Sequence, residues 1–452
     1  SDTANPRSRP PALSRAGKAF VAVLLLSCAA CSPEDPGSAA PVALEGVSEP
    51  PATGPVTPRS ELARDSSRAG FRGLWVLCEG SERVLEEVTR VDALVERAIA
   101  LGATDLFVQV YRGGRAWYDA SQADASPFEA LSAGNRPDPL RALIAKAHSH
   151  RLRVHAWVNV LALARNRDAW IVRDLGPGAI LVDRRGRSLL DYPAGELPAP
   201  DTAWYRMGTP GIYLDPAAPG VAERLAATFS ELVSRYPELD GVHLDYIRHP
   251  LVLPVAPGSR FDVGLDFGYG AATRARFRDE TGLPGPYRDP DNPETSTLIH
   301  SPRWDQWRRE KVTEVVARIG EALDEARPGL LLSAAVIPFA DRAYLALAQD
   351  WRFWLEDRLV DFVVPMIYTR DDRLLRYQAD SFGRGPFAAR IWAGLGVWLF
   401  SSEPARAVEQ LEIARASGLA GDALFSYDAL AAAPGLYDAL VANVKQEKTG
   451  VR

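Results

Sequence analysis

The segment DGVHLDYIRHP, residues 240–250, places two aspartates, two histidines and an arginine in a run otherwise fit for a buried strand. Side chains of an extended chain point alternately to opposite faces, so Val242 and Leu244 share one face while His243 and Asp245 share the other. A second run, LRVHAWVNV (152–160), repeats the arrangement, with Val154, Ala156 and Val158 opposed to His155, Trp157 and Asn159. A third, TDLFVQVY (104–111), sets Leu106, Val108 and Val110 against Phe107, Gln109 and Tyr111. Three strands thus send polar groups to one side. A buried carboxylate without partners is too costly to serve as packing, so each such group must meet a donor or a ligand. Carboxyl, imidazole and guanidinium groups gathered in this way are suited to proton transfer or nucleophilic attack.

Elements that could position these residues recur along the chain. Eight strand-like runs are predicted, at 71–78, 104–111, 152–160, 240–247, 329–337, 359–368, 390–398 and 421–428. Helical patterns with apolar residues three or four apart lie between them, among them RVLEEVTRVDALVERAIALG, GVAERLAATFSELVSRY and EPARAVEQLEIARASG. Strands joined by helices pair in parallel, and eight such units close a (β/α)8 barrel, a TIM-type α/β fold. An open doubly wound sheet is the rival, but no Gly-rich phosphate loop follows any strand. In the barrel, His243 and Asp245 point inward, with Asp245 nearer the C-terminal rim, where such folds carry their chemistry. Long insertions follow the third strand (161–214) and the fourth (250–301); the first contains AILVDRRGRSLLDY, which reads as a hairpin turning at 184–186.

The chain has 452 residues, 47% of them hydrophobic and 24% charged, which is enough to bury a large core. Its formal net charge of −6 shows no basic stripe or polybasic patch, so nucleic acid is not an expected partner. Arg15 and Lys18 precede an apolar run, Ala19 to Leu26, too short to cross a bilayer. We read residues 1–31 as an export signal in which Leu25-Leu26-Ser27-Cys28 resembles a bacterial lipobox, with Cys28 the lipidated residue and Cys31 a second candidate. Ala29 after that cysteine points to the outer membrane, giving a lipid-anchored envelope protein facing the periplasm. Residues 32–68, rich in Pro, Ala, Ser, Gly and Glu, are expected to form a flexible linker, and 69–446 one barrel domain. Cys78, the remaining cysteine, has no certain partner, and no disulfide is expected.

RGLWV on the first strand, VQVYRGGRAWY after the second, HAWVN on the third, DGVHLDYIRHP on the fourth, WDQWRREKV in a later helix and VPMIYT on the sixth resemble the glycosyl-hydrolase-like family 10. Its members are bacterial envelope proteins similar to a divisome-localised lipoprotein that cleaves denuded peptidoglycan glycan strands. The resemblance implies a TIM-like barrel and cleavage of glycosidic bonds in a polysaccharide, with peptidoglycan glycan strands as the candidate substrate. Such chemistry uses two carboxyl groups, one protonating the leaving oxygen and one attacking or activating water. Asp245 takes the second role, held ionised by Arg248 and His243. Asp371, just past VPMIYTR, is the candidate acid, with Asp372, Glu79 and Asp428 as rivals. Tyr111, Arg112, Trp117, Tyr118, Tyr368 and Trp398 lie at or after strand ends, where aromatic faces can stack on sugar rings. Glu79, Gln109, His155, Asn159, His243 and Arg248 complete the expected substrate contacts.

The chitinase pattern D-G-x-D-x-D-x-E matches Asp240, Gly241 and Asp245 but meets His243 and Ile247 where acids should stand, so that machinery is incomplete here. His155 and His243 lack any H-x-H or H-E-x-x-H spacing, and neither metal nor cofactor is expected. The competing expectation is a non-catalytic carbohydrate-binding or scaffold lipoprotein on a barrel that has lost its acid.

Overall fold

The structure is a computed structural model that describes residues 70–132, 137–256, 265–289, 291–292 and 296–449. The expected export signal, lipobox and linker, with Cys28 and Cys31, lie outside the described residues.

Eight parallel strands form the centre: β1 (Phe71–Val76), β2 (Asp105–Arg112), β3 (Arg153–Asn159), β4 (Gly241–Asp245), β5 (Leu331–Val336), β6 (Phe362–Ile367), β7 (Trp392–Gly396) and β8 (Gly421–Phe425). Each pairs with its sequence neighbours, and β1 pairs with both β2 and β8, so the sheet closes on itself. A helix follows every strand: α1 (Val88–Ala100), α2 (Pro139–Ser149), α3 (Val221–Arg235), α4 (Ser301–Ala326), α5 (Trp351–Glu356), α6 (Asp372–Gly383), α7 (Pro404–Ala416) and α8 (Pro434–Thr449). The molecule is a (β/α)8 TIM barrel, as the alternation of runs predicts.

Local sequence sets the helix limits. Asp138 caps α2 by accepting from the N–H groups of Leu140 and Arg141, and Pro139 occupies the first turn, where no intrahelical donor is needed. Helix α3 buries Val221, Leu225, Phe229 and Leu232, a three-to-four spacing that turns one stripe to the sheet. It ends at Arg235 because Tyr236 precedes Pro237, whose ring disfavours helical geometry in the residue before it. Burying one such leucine or phenylalanine contributes about 1.5–3 kcal/mol.

Beside a smaller cluster around Tyr269, Phe277, Trp304 and Trp307, two apolar regions make up the barrel. One lies between strands and helices; the other fills the barrel with Trp75, Phe107, Trp157, Phe362, Val364, Trp392 and Ala423. Phe362 stacks on Trp392 at 4.3 Å and Phe107 on His243 at 4.3 Å. The floor beneath is polar. Asp105 accepts from His155 Nε2 and pairs with Arg153, each at 2.8 Å. Gly241 is required there: a Cβ would come within 2.3 Å of His155 Nδ1.

The insertions cover the C-terminal rim. A short antiparallel ribbon joins them, Tyr205–Met207 from the first to Val252–Pro254 from the second. The expected hairpin turns where predicted, with Gly186 at φ 80°, but only Val182 and Ser188 pair. It does not extend because the chain coils into a 3-10 turn at Leu189–Asp191 while buried Asp183 binds the Arg187 side chain at 2.7 Å and the Tyr192 hydroxyl at 2.8 Å.

Candidate active site

Asp245 ends β4 and points inward at the barrel mouth, where 6% of its surface stays exposed. The register pairs Asn159 with Asp245 and Trp157 with His243, which brings the Trp157 indole under the carboxyl. Trp157 Nε1 donates to Asp245 Oδ2 at 3.1 Å, and the Tyr246 backbone N–H donates to Oδ1 at 2.7 Å. Tyr246 adopts φ 52°, a left-handed conformation that costs a bulky residue about 1–2 kcal/mol and turns the chain sharply off the strand. Burial raises the Asp245 carboxyl to about 6, against the opposing pull of Arg248, the Tyr246 N–H and the Trp157 indole. Arg248 favours the ionised form, as expected, but burial outweighs it. Arg248 lies over the Tyr246 ring at 5.0 Å and donates to the His249 carbonyl, while His243 is held lower in the barrel by Ser333 Oγ at 2.8 Å.

Around Asp245 the mouth is mainly aromatic. Tyr368, just past β6, packs edge-on against Trp398 at 4.8 Å and near Phe425 at 5.7 Å. Its hydroxyl is buried and has no hydrogen-bond partner among the described residues. Burial lifts its titration well above the ordinary value, and the nearby Asp245 and Tyr246 add to this. Between the ends of β1, β2 and β3 runs a polar chain: Cys78 Sγ donates to Gln109 Oε1 and Gln109 Nε2 to Asn159 Oδ1, both at 3.2 Å. Burial pushes the Cys78 thiol up to about 12, so it stays protonated and serves as a donor. Glu79 and Arg112, at the ends of β1 and β2, form an ion pair, and the charge of Arg112 reaches Tyr246.

Several expected site residues stand elsewhere. His155 is fully buried in the floor beside Asp105 and does not reach the mouth. His243 is likewise sealed one layer below Asp245. Tyr111 faces outward, its ring edge-on to Phe229 of α3 at 5.2 Å, because a bulge between Gln109 and Tyr111 breaks the alternation. Trp117 and Tyr118 join the same outer core, with the Tyr118 ring perpendicular to Tyr236. Asp371 caps α6, accepting from the N–H groups of Arg373 and Leu374. Asp372 pairs with Arg406 at 3.0 Å. Asp428 accepts from the Glu82 N–H at 2.9 Å and presses so close to Gly80 that a Cβ there would lie 2.0 Å from Oδ1. Gln109, Arg112, Asn159, Arg248, Tyr368, Trp398 and Glu79 remain around the mouth. Trp157, the indole donor to Asp245, was not singled out from sequence; its place beside His155 and Asn159 on the inward face of HAWVN was the available signal.

The family model "Glycosyl hydrolase-like 10" matches residues 70–381. Glycosyl hydrolase DigH of Escherichia coli K12 is 23% identical over 424 residues, spanning 84% of this chain and 81% of that protein. Glycosyl hydrolase YngK of Bacillus subtilis is 22% identical over 302 residues, 63% of this chain and 50% of that one. Among solved structures, the β-galactosidase of the psychrophilic Marinomonas ef1 superposes with a TM-score of 0.51 at 12% identity, covering 84% of this chain and 61% of that one, a likeness of fold. With more than half of its length matched, the chain belongs to the glycosyl hydrolase-like 10 family.

Proposed function

We propose that the protein is a glycoside hydrolase of the bacterial envelope that cleaves glycosidic bonds in a polysaccharide, with peptidoglycan glycan strands as the substrate. The observation carrying this reading is Asp245: an inward carboxyl at the C-terminal mouth, fixed by Trp157 and Tyr246, with its titration raised to about 6. Such a group is roughly nine-tenths ionised at neutral pH yet basic enough to take a proton from water, which suits a general base or nucleophile. Tyr368 and Trp398 offer aromatic surface beside it, and Gln109 and Asn159 supply amide groups. Anchoring through a lipidated Cys28 would hold the barrel at the outer membrane facing the periplasm, within reach of that polymer; a Cys28→Ser protein that no longer partitions with membranes tests this part.

A carbohydrate-binding protein without hydrolysis is the second reading. It is favoured by the engagement of Glu79, Asp371, Asp372 and Asp428 in ion pairs and caps, which leaves the proton donor unassigned. The test is to incubate the protein with denuded glycan strands, chitooligosaccharides and α-glucans and to measure new reducing ends. Cleavage of the denuded strands supports the hydrolase. Binding without new reducing ends supports the second reading.

A further inference from the structure

The line of hydrogen bonds from Cys78 to Asn159 has a direction, and that direction is set at its β1 end. Two groups of Cys78, the thiol and the backbone N–H, meet Gln109 Oε1 at 3.2 Å and 3.5 Å. A backbone N–H only donates, so the oxygen of the Gln109 amide must face Cys78 and its Nε2 must face away. Reversing the amide would set donor against donor where both residues are buried, leaving them unpaired. Nε2 then donates to Asn159 Oδ1 at 3.2 Å, which orients the second amide in the same sense. The oxygen of Asn159 faces Gln109, and its Nδ2 faces onward.

The end that sets the direction is pinned. Asp428, just past β8, accepts from the N–H groups of Leu77 at 3.4 Å and Glu82 at 2.9 Å, which flank Cys78 in sequence. Gln109 lies in register with Trp157, so Asn159 is the next inward residue toward the rim. The far end opens on the site. Asn159 pairs in register with Asp245, which puts both side chains on the inward face, and each keeps 6% of its surface exposed. Asp245 is bonded by Trp157 Nε1 and the Tyr246 N–H rather than by this amide. Asn159 Nδ2 has no hydrogen-bond partner among the described residues. A donor so nearly buried calls for water or a ligand to meet it.

We propose that Cys78 is a positioning residue: through Gln109 it aims the Asn159 amide into the mouth, where Nδ2 donates to an acceptor oxygen of the sugar lying over Asp245. The inference rests on the glycan-binding reading above and holds with or without hydrolysis. The thiol works here as a fixed donor and neither attacks nor is oxidised. The line also makes the mouth selective, because an oxygen acceptor is met at that point and a group that only donates is refused.

The test is a double-mutant cycle on the full chain carrying Asp245→Asn, which holds a ligand without turnover. Cys78→Ala, Asn159→Ala, the pair together and Cys78→Ser are compared by calorimetric binding of a tetrasaccharide alternating N-acetylglucosamine with N-acetylmuramic acid. Asn159→Ala should weaken binding about tenfold, the upper part of the range for one hydrogen bond. Cys78→Ala leaves Gln109 only the longer N–H contact and should weaken binding about threefold; Cys78→Ser restores a donor and should return affinity to within about twofold. With Asn159→Ala already present, Cys78→Ala should change affinity by less than about 1.5-fold, because no amide remains to be aimed. A Cys78→Ala effect of equal size in both backgrounds, or no rescue by Cys78→Ser, is what packing alone would give and overturns the proposal. Gln109→Met breaks the line at its middle and should show the same dependence on Asn159, which keeps the test open if Cys78→Ala does not fold. Urea unfolding of the same proteins reads the line without any sugar: Cys78→Ala and Asn159→Ala, linked through Gln109, should be non-additive by at least about threefold in the unfolding constant, and additive values overturn the relay. An Asp245→Asn chain that binds no sugar counts against the glycan reading, while the unfolding cycle still decides the relay.

Discussion

Replacing Asp245 by Asn should remove a pH-dependent loss of stability even as it removes the proposed catalytic carboxyl. Burial raises this carboxyl from 3.8 to about 6. The gap corresponds to about 3 kcal/mol of differential stability. Below pH 3.8 both the folded and unfolded chains carry the group protonated, and it contributes no pH dependence. Between that value and about 6 the unfolded chain releases its proton while the folded chain keeps it, so stability falls as pH rises. Above about 6 the folded protein bears the full cost of a buried charge. Asparagine cannot ionise, but its amide presents only one acceptor to the two donors, Trp157 Nε1 and the Tyr246 N–H. The unsatisfied donor costs about 1–3 kcal/mol at every pH. The informative quantity is therefore the pH dependence of the difference between the two proteins. Urea unfolding of both, at pH 4 and at pH 7.5, should show the Asn variant gaining about 2.4 kcal/mol relative to the parent between those two values, because part of the loss is already incurred at pH 4. The same titration should appear as an acidic limb in kcat/KM centred near pH 6. A stability difference that stays flat across this range would refute the claim that Asp245 is a buried carboxyl charged at the expense of the fold.

Other changes separate structural from chemical roles. Asp371→Ala should cost about 0.5–2 kcal/mol through loss of the α6 cap while leaving kcat close to the parent; a fall of about 10²–10⁴ would return Asp371 to the role of acid. Burial alone would raise the Asp105 carboxyl, but His155 and Arg153 outweigh it and hold the group below its ordinary value. Asp105 therefore contributes stability above its ordinary range that is lost as pH falls through the lowered value, and Asp105→Asn should destabilise urea unfolding by about 3–5 kcal/mol at pH 7. Tyr368→Phe removes a buried hydroxyl that has no partner among the described residues, so its Tm should equal or exceed the parent's; a clear drop would reveal a structural bond to that oxygen.

The barrel was legible because its signals are local and repeated. All eight strands lie within a few residues of their predicted runs, and α3 and α7 follow the apolar spacing of their segments. Alternation also identified the inward face of β4. It carries no information about height along the barrel, and for that reason His155 was expected at the mouth with Asp245. One stands in the floor against Asp105 and the other at the mouth. The outward turn of Tyr111 depends on a single bulge after Gln109, a register event set by pairing with β3 rather than by the residues themselves. Asp371 precedes a helical run, and an aspartate there is as strong a signal for a cap as for an acid. The link from Trp157 to Asp245 joins residues 88 apart in sequence and exists only once β3 and β4 are in register.

The role of Asp245 is tested most directly by the turnover rate of Asp245→Asn on whichever glycan the parent protein cleaves. Loss of a nucleophile or base should lower kcat by about 10² to 10⁴ or more, with KM held within a few-fold. A variant that releases reducing ends at the parent's rate would contradict the account, because the carboxyl at the barrel mouth would then take no part in breaking the bond.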